Sequence, residues 1–247
     1  MDITDKLKLA MLISGGGTTA AAIIQACQNG ELFGSGLEPA LVVASKENID
    51  GIERIKNLGF LEKDIVIISP KDFSTPEEFG TAIIRACRER NVDIIGQYGW
   101  LHKTPANVVE AYKDKMINQH PGPLDPGHLD FGGAGMYGRR VHSARLCFVK
   151  KTNRDFRTEA TAQKVAANYD EGAVLYKKTV EILPDDTVES LQARVLPIEH
   201  SVQIETLKML ANGTLREIIR DDRLINPGEK KILEECKKEA VKLYPNG

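Results

Sequence analysis

Residues 9–19 run Leu9-Ala10-Met11-Leu12-Ile13-Ser14-Gly15-Gly16-Gly17-Thr18-Thr19, an apolar stretch that breaks into three glycines and then two hydroxyls. A short apolar run bounded by glycines predicts a buried strand over Leu9 to Ile13, and the residues after the loop predict a helix over Thr18 to Gln28. A glycine-rich link from strand to helix lets backbone N–H groups surround an anion at the positive end of the helix dipole. The loop from Ser14 to Thr19 is therefore a candidate phosphate site. The spacing Gly15-x-Gly17-x-x-Ala20 also fits a dinucleotide loop. Such a site wants an acid at the end of the second strand to hold a ribose. Here that strand ends Val43-Ala44-Ser45-Lys46, so an NAD-dependent oxidoreductase ranks last among the functions considered.

The same alternation continues outward. Strands are predicted at Ala40 to Ala44, Asp64 to Ile68, Val92 to Gly96 and Lys115 to Asn118, with helices near Ile52 to Leu58, Pro76 to Arg90 and Pro105 to Asp114. Strands alternating with helices give an α/β class with a mostly parallel central sheet flanked by helices. From Leu124 to Asn153, glycines at 127, 132, 133, 135 and 138 mark a long irregular segment, predicted to hold one short helix around Tyr137 to Arg145. Glu159 to Ala166 and Ala173 to Ile182 read as a hairpin. Val188 to Leu210 reads as a long helix interrupted by Pro197, and Glu229 to Leu243 as a charged surface helix.

The chain has 247 residues, 42% hydrophobic and 28% charged, enough for one well-buried core and short for two ordinary domains; a single domain over 1–247 is expected. The net charge of -2 denies the basic excess that holds a nucleic-acid backbone. No run approaches the roughly 18 apolar residues of a membrane span. Met1 to Lys8 carries both signs of charge, unlike a signal peptide. Cys27, Cys87, Cys147 and Cys236 lie far apart without a C-x-x-C pair, and read as reduced thiols of a cytoplasmic protein with no metal site.

Met116-Ile117-Asn118-Gln119-His120-Pro121-Gly122-Pro123 leaves a short strand, at the end where open α/β sheets hold ligands. An amide and an imidazole two residues apart on an extended chain project to one face, so Asn118 and His120 can meet one oxygen atom. Asn-x-His-Pro after a strand resembles the core motif of the folate-dependent formyltransferases, and other segments agree in order. Ile13 to Thr18 resembles the phosphate loop of the glycinamide ribonucleotide type, and Tyr169-Asp170-Glu171-Gly172 is similar to the turn that carries the family's catalytic aspartate. Ala193-Arg194-Val195 with Glu199-His200 resembles the late helix, and the resemblance runs from about Leu7 to Leu215.

The resemblance implies a Rossmann-like formyltransferase fold, with a long insert near 125–157 and an added C-terminal helix near 229–243. It also implies transfer of a formyl group from 10-formyltetrahydrofolate to the amine of glycinamide ribonucleotide, as in purine biosynthesis, without a metal. Asn118, His120 and Asp170 become the catalytic trio, and Gly16, Gly17, Thr18, Thr19 and Glu199 the acceptor site. The folate surface would comprise Tyr98, Gly99, Trp100, Leu101, His102 and Pro121, with the turn Ala166, Ala167, Asn168 and Tyr169. Core packing is the other reading of Trp100. The chain departs from the family at Gly16, Thr18 and Thr19, where asparagine and serine are usual, and at Leu196, where a polar residue is usual. The implied partners are small molecules rather than nucleic acid or membrane, and a homodimer is allowed. The rival functions are a formyltransferase acting on another amine, such as an amino-sugar nucleotide, and a non-catalytic folate or nucleotide binder.

Overall fold

The computed structural model describes residues 6–32 and 36–247, so most of the N-terminal segment read above, residues 1–5, lies outside it. The chain divides into two compact units, unit 1 (Met1–Gln119 and Gln203–Leu215) and unit 2 (His120–Val202 and Arg216–Gly247).

Unit 1 is built on β1 (Leu7–Ile13), β2 (Leu37–Ala44), β3 (Ile65–Ile67), β4 (Ile94–Gln97) and β5 (Met116–His120), whose last residue opens unit 2. These strands lie in the order β3-β2-β1-β4-β5 and pair in parallel throughout. Central β1 is fully buried from Leu9 to Ile13, as a strand covered on both faces must be. The connections are α1 (Thr18–Gln28), α2 (Asp50–Lys56), α3 (Pro76–Arg88) and α4 (Ala106–Ala111). Thr75 and Glu78 form a reciprocal capping box at the start of α3, with Pro76 in its first turn where no N–H is missed. Strand order reverses between β1 and β4, and the carboxyl ends of those strands release Ser14 to Gly17 and Tyr98 to His102. A parallel sheet holds its ligands at such a switch point.

Unit 2 contains α5 (Arg139–Thr152), the antiparallel pair β6 (Arg157–Lys164) and β7 (Val174–Glu181), the start of α6 (Val188–Ala211), and α7 (Lys230–Leu243). Two expectations need correction here. The short helix expected around Tyr137 to Arg145 runs instead for 14 residues, Arg139–Thr152, and the C-terminal helix is more than a surface addition. Phe131, Met136, Val141, Ala144 and Phe148 from the insert form one buried cluster with Leu233, Cys236 and Ala240 of α7. This packing overturns the reading of four reduced thiols. It brings Cys147 and Cys236, 89 residues apart, to a Cα separation of 5.6 Å, where they form a disulfide. Cys27 and Cys87 remain free, their thiols pushed up by burial to about 11 and about 12. Among the described residues no helix is long and apolar enough to cross a membrane.

Candidate active site

The anion loop of unit 1 is made by backbone shape. Gly17 caps α1 at φ 61° and ψ 22°, a left-handed conformation natural to glycine. A Cβ there would lie 2.8 Å from the Cα of Gly51, so the loop and the start of α2 meet backbone to backbone. The Gly51 amide donates to the Gly15 carbonyl at 3.1 Å, and Arg54 Nε donates to the Gly16 carbonyl at 2.9 Å. No side chain caps α1 and no acid stands in its first turn, which leaves the positive end of that helix uncompensated. Thr18 is partly exposed and Thr19 buried, so Thr18 offers the more accessible hydroxyl.

Ser14 ties this loop to the exit of β4. Its amide donates to the Gly99 carbonyl at 3.1 Å, while its Oγ accepts from the Leu101 amide at 3.2 Å and from Ser45 Oγ at 2.9 Å. Tyr98 turns inward across Gly96, where any Cβ would collide with its ring, and burial pushes its hydroxyl well above the ordinary range. Trp100 is 8% exposed and stacks on Phe79, ring centres 6.2 Å apart with planes 9° from parallel. Tyr98 and Trp100 are thus packing residues. Gly99 and Leu101 are the exposed residues of the segment, and His102 is partly exposed. Burial, and then the charge of Lys46, keep the His102 imidazole below its usual range.

Asn118 lies on β5 opposite Gln97, itself opposite Leu12 of β1, and shares one face of its strand with His120. In unit 2, His120 is 2% exposed, its Nδ1 lies 3.7 Å from Asp170 Oδ2, and its Nε2 is buried without a partner. Asp170 occupies a left-handed position at φ 57°, one that aspartate tolerates better than most residues. Both of its oxygens are held: Gly133 N donates to Oδ2 at 2.9 Å and Gln163 Nε2 to Oδ1 at 2.6 Å. Gly172 keeps the turn tight, since a Cβ there would overlap the Lys164 carbonyl.

Two further titratable groups feel His120. Burial pushes the Asp130 carboxyl up, against the hydrogen bonds from the Asp125 and Gly132 amides and the charge of His120. His142, 1% exposed, is pushed down to about 4 by burial first and His120 second, and is neutral at neutral pH. Glu199 is buried on α6, Pro121 and Ala166 are partly exposed, and Ala167, Asn168 and Tyr169 are exposed. Among the described residues no group of three or more His, Cys, Asp or Glu side chains is arranged to hold a metal ion. Sequence reading missed Gly51, Arg54, Gln163, Gly133 and Lys237. No local pattern marks them, because each acts through a partner that folding supplies, from seven residues away for Gln163 and Asp170 to 105 for Lys237 and Gly132.

A parallel sheet with an anion-ready loop at its switch point defines an α/β ligand-binding protein and leaves the chemistry to its site. Comparison with known sequences narrows the class: the profile of the family described as Formyl transferase matches residues 7–207, and the chain belongs to that family. Phosphoribosylglycinamide formyltransferase, chloroplastic, of Vigna unguiculata is 30% identical over 204 residues, covering 82% of this chain and 60% of that protein. Its namesake from Arabidopsis thaliana is 30% identical over 211 residues, 85% of this chain and 67% of that protein. The chain therefore spans only part of the length of these plant relatives. The crystal structure of glycinamide ribonucleotide transformylase 1 from Symbiobacterium toebii matches with a TM-score of 0.72 at 25% identity, over 87% of this chain and 91% of that one. The expected α/β fold with a mostly parallel, helix-flanked sheet is borne out.

Proposed function

We propose that the protein transfers a formyl group from 10-formyltetrahydrofolate to the amine of glycinamide ribonucleotide, a step of purine biosynthesis. The observation that carries this reading is the His120–Asp170 pair, with Nδ1 facing the carboxylate at 3.7 Å and a buried Nε2 left without a partner. The relatives above carry the names of enzymes of this reaction.

Addition of an amine to the formyl carbon puts negative charge on the formyl oxygen. Asn118 and His120, on one face of β5, donate to that oxygen; a single such donor is worth about 10²–10³ in rate. In the imidazolium form of His120, Nδ1–H faces the Asp170 carboxylate and Nε2–H is left to donate to the formyl oxygen. As the bond from the formyl carbon to the folate nitrogen breaks, that nitrogen must receive the proton the amine gives up. A water on the Asp170 carboxylate takes the proton, and His120 delivers one to the leaving nitrogen. Gly16, Gly17, Thr18 and Thr19 hold the acceptor's phosphate, and Glu199 its ribose. To the folate we assign, on the family resemblance, Gly99, Leu101 and His102 in unit 1 and, taken separately, Pro121 and the turn Ala166 to Tyr169 in unit 2. Tyr98 and Trp100 support their segment from the core.

One family match runs through residues of both units, which supports a single formyltransferase domain over 1–247, with the insert near 125–157 and the helix near 229–243 as additions to it. We assign the activity to the cytoplasm; the disulfide between Cys147 and Cys236 and the chloroplast in the names of the plant relatives make an organelle the alternative, which cell fractionation decides. Sedimentation tests the homodimer. The assay for the activity follows free tetrahydrofolate when 10-formyltetrahydrofolate is mixed with glycinamide ribonucleotide or with a panel of amino-sugar nucleotides. Turnover with the ribonucleotide is expected. Turnover only with another amine would replace the acceptor, and folate binding without turnover on any amine would leave a non-catalytic binder.

A further inference from the structure

The C-terminal helix reaches the candidate catalytic aspartate through one loop of the insert. Lys237 of α7 donates from Nζ to the Asp130 carbonyl at 3.1 Å and to the Gly132 carbonyl at 2.5 Å. The Asp130 carboxylate closes the same loop, accepting the Gly132 amide at 2.6 Å on Oδ1 and the Asp125 amide at 2.8 Å on Oδ2. The next residue, Gly133, donates its amide to Asp170 Oδ2, the very oxygen that lies 3.7 Å from His120 Nδ1. Gly132 packs so closely that a Cβ on it would come within 2.7 Å of the Asp170 Cβ.

A partly buried ammonium bonded to two carbonyls of one tight loop fixes the direction of the peptide between Gly132 and Gly133. Burial pulls the Lys237 ammonium down from its usual range, and the charges of Asp130 and Asp170 act against that pull. The helix that carries it is itself anchored, with Leu233, Cys236 and Ala240 in the cluster shared with α5 and Cys236 bonded to Cys147.

We propose that Lys237 is a positioning residue for the transfer reaction: it holds the Asp130–Gly133 loop so that the Gly133 amide keeps Asp170 Oδ2 facing His120. Lys237 lies outside residues 7–207 matched by the family profile, so this chain takes part of its catalytic support from a segment beyond that match. The inference rests on the proposed role of Asp170 in formyl transfer.

The test compares the full chain with Lys237→Met and Lys237→Arg, each alone and combined with Asp170→Asn. The readouts are single-turnover rate, KM for both substrates, and hydrogen exchange of the Gly133 amide by NMR. A misplaced catalytic group typically loses up to about 10²-fold, so Lys237→Met should lower kcat about 10- to 100-fold with little change in KM. Its Gly133 amide should exchange faster, and Lys237→Arg, which keeps a cation on the carbonyls, should recover most of both losses. In the Asp170→Asn background Lys237→Met should add less than about 2-fold, because residues acting through one another are not additive. Parental kcat and Gly133 exchange in Lys237→Met would overturn the inference, as would an equal loss with and without Asp170. If the parent transfers no formyl group, the proposed function fails by itself, and Gly133 exchange alone decides whether Lys237 fixes the loop.

Discussion

The glycine loop of unit 1 and the surroundings of Asp170 in unit 2 are built from opposite materials. From Gly15 to Thr19 the protein offers an anion only backbone amides, a helix end and two hydroxyls, all within one short segment. Around Asp170, by contrast, the support comes from Gly133 and Gln163 directly and from Lys237 through the Asp130–Gly133 loop. A site made of backbone is contiguous and depends on shape. A site built around one charged side chain is assembled from several segments and depends on individual atoms.

The largest effect expected from that difference follows from changing single atoms in unit 2. Asp170→Asn keeps the shape, yet it or His120→Ala should lower kcat by at least about 10²-fold in a steady-state assay while thermal unfolding stays near the parent's. In unit 1 the damaging change is one of shape. Gly17→Val puts a branched side chain at φ 61° against Gly51, which should cost about 1–3 kcal/mol in urea unfolding and raise KM for a phosphorylated acceptor. Next in size is a pH effect confined to unit 2. Unfolded His142 takes a proton at about 6.5, whereas the folded chain takes it only near about 4. The unfolded state therefore binds more protons between those values, and stability falls as pH drops through that window. The loss is about 3 kcal/mol at most, and His142→Gln should flatten the pH dependence of urea unfolding there. The smallest effect belongs to Thr18→Val. It removes one hydroxyl from a site that backbone carries, so KM for the acceptor should rise by no more than about 10-fold, the worth of one hydrogen bond.

The same contrast governs what the sequence reveals. β1, the glycine loop and α1 are legible because a local pattern dictates each of them. The start of α3 at Pro76 is legible for the same reason. The insert misleads because its glycines suggest irregular chain with only a short helix around Tyr137 to Arg145, where α5 runs from Arg139 to Thr152. Within that helix Arg145 is 1% exposed, paired with Asp155 and packed over the Phe131 ring. A buried arginine of that kind has no sequence signature, since its partner and the ring it covers are supplied by folding. The disulfide is invisible for a related reason, lying between two helices whose contact no local pattern announces. At the candidate site, motif order points to Asn118, His120 and Asp170, and the structure brings His120 and Asp170 together. The resemblance placed Tyr98 and Trp100 on the folate surface, with core packing the other reading of Trp100, and both rings are buried.

Transfer of a ¹³C-labelled formyl group in a single turnover, by the parent and by Asp170→Asn, tests the central claim most directly. The label should reach the amine of glycinamide ribonucleotide with the parent, and at least about 100-fold more slowly with Asp170→Asn although both substrates still bind. Parental speed without the Asp170 carboxylate, or bound substrates between which the parent moves no label, would contradict the account.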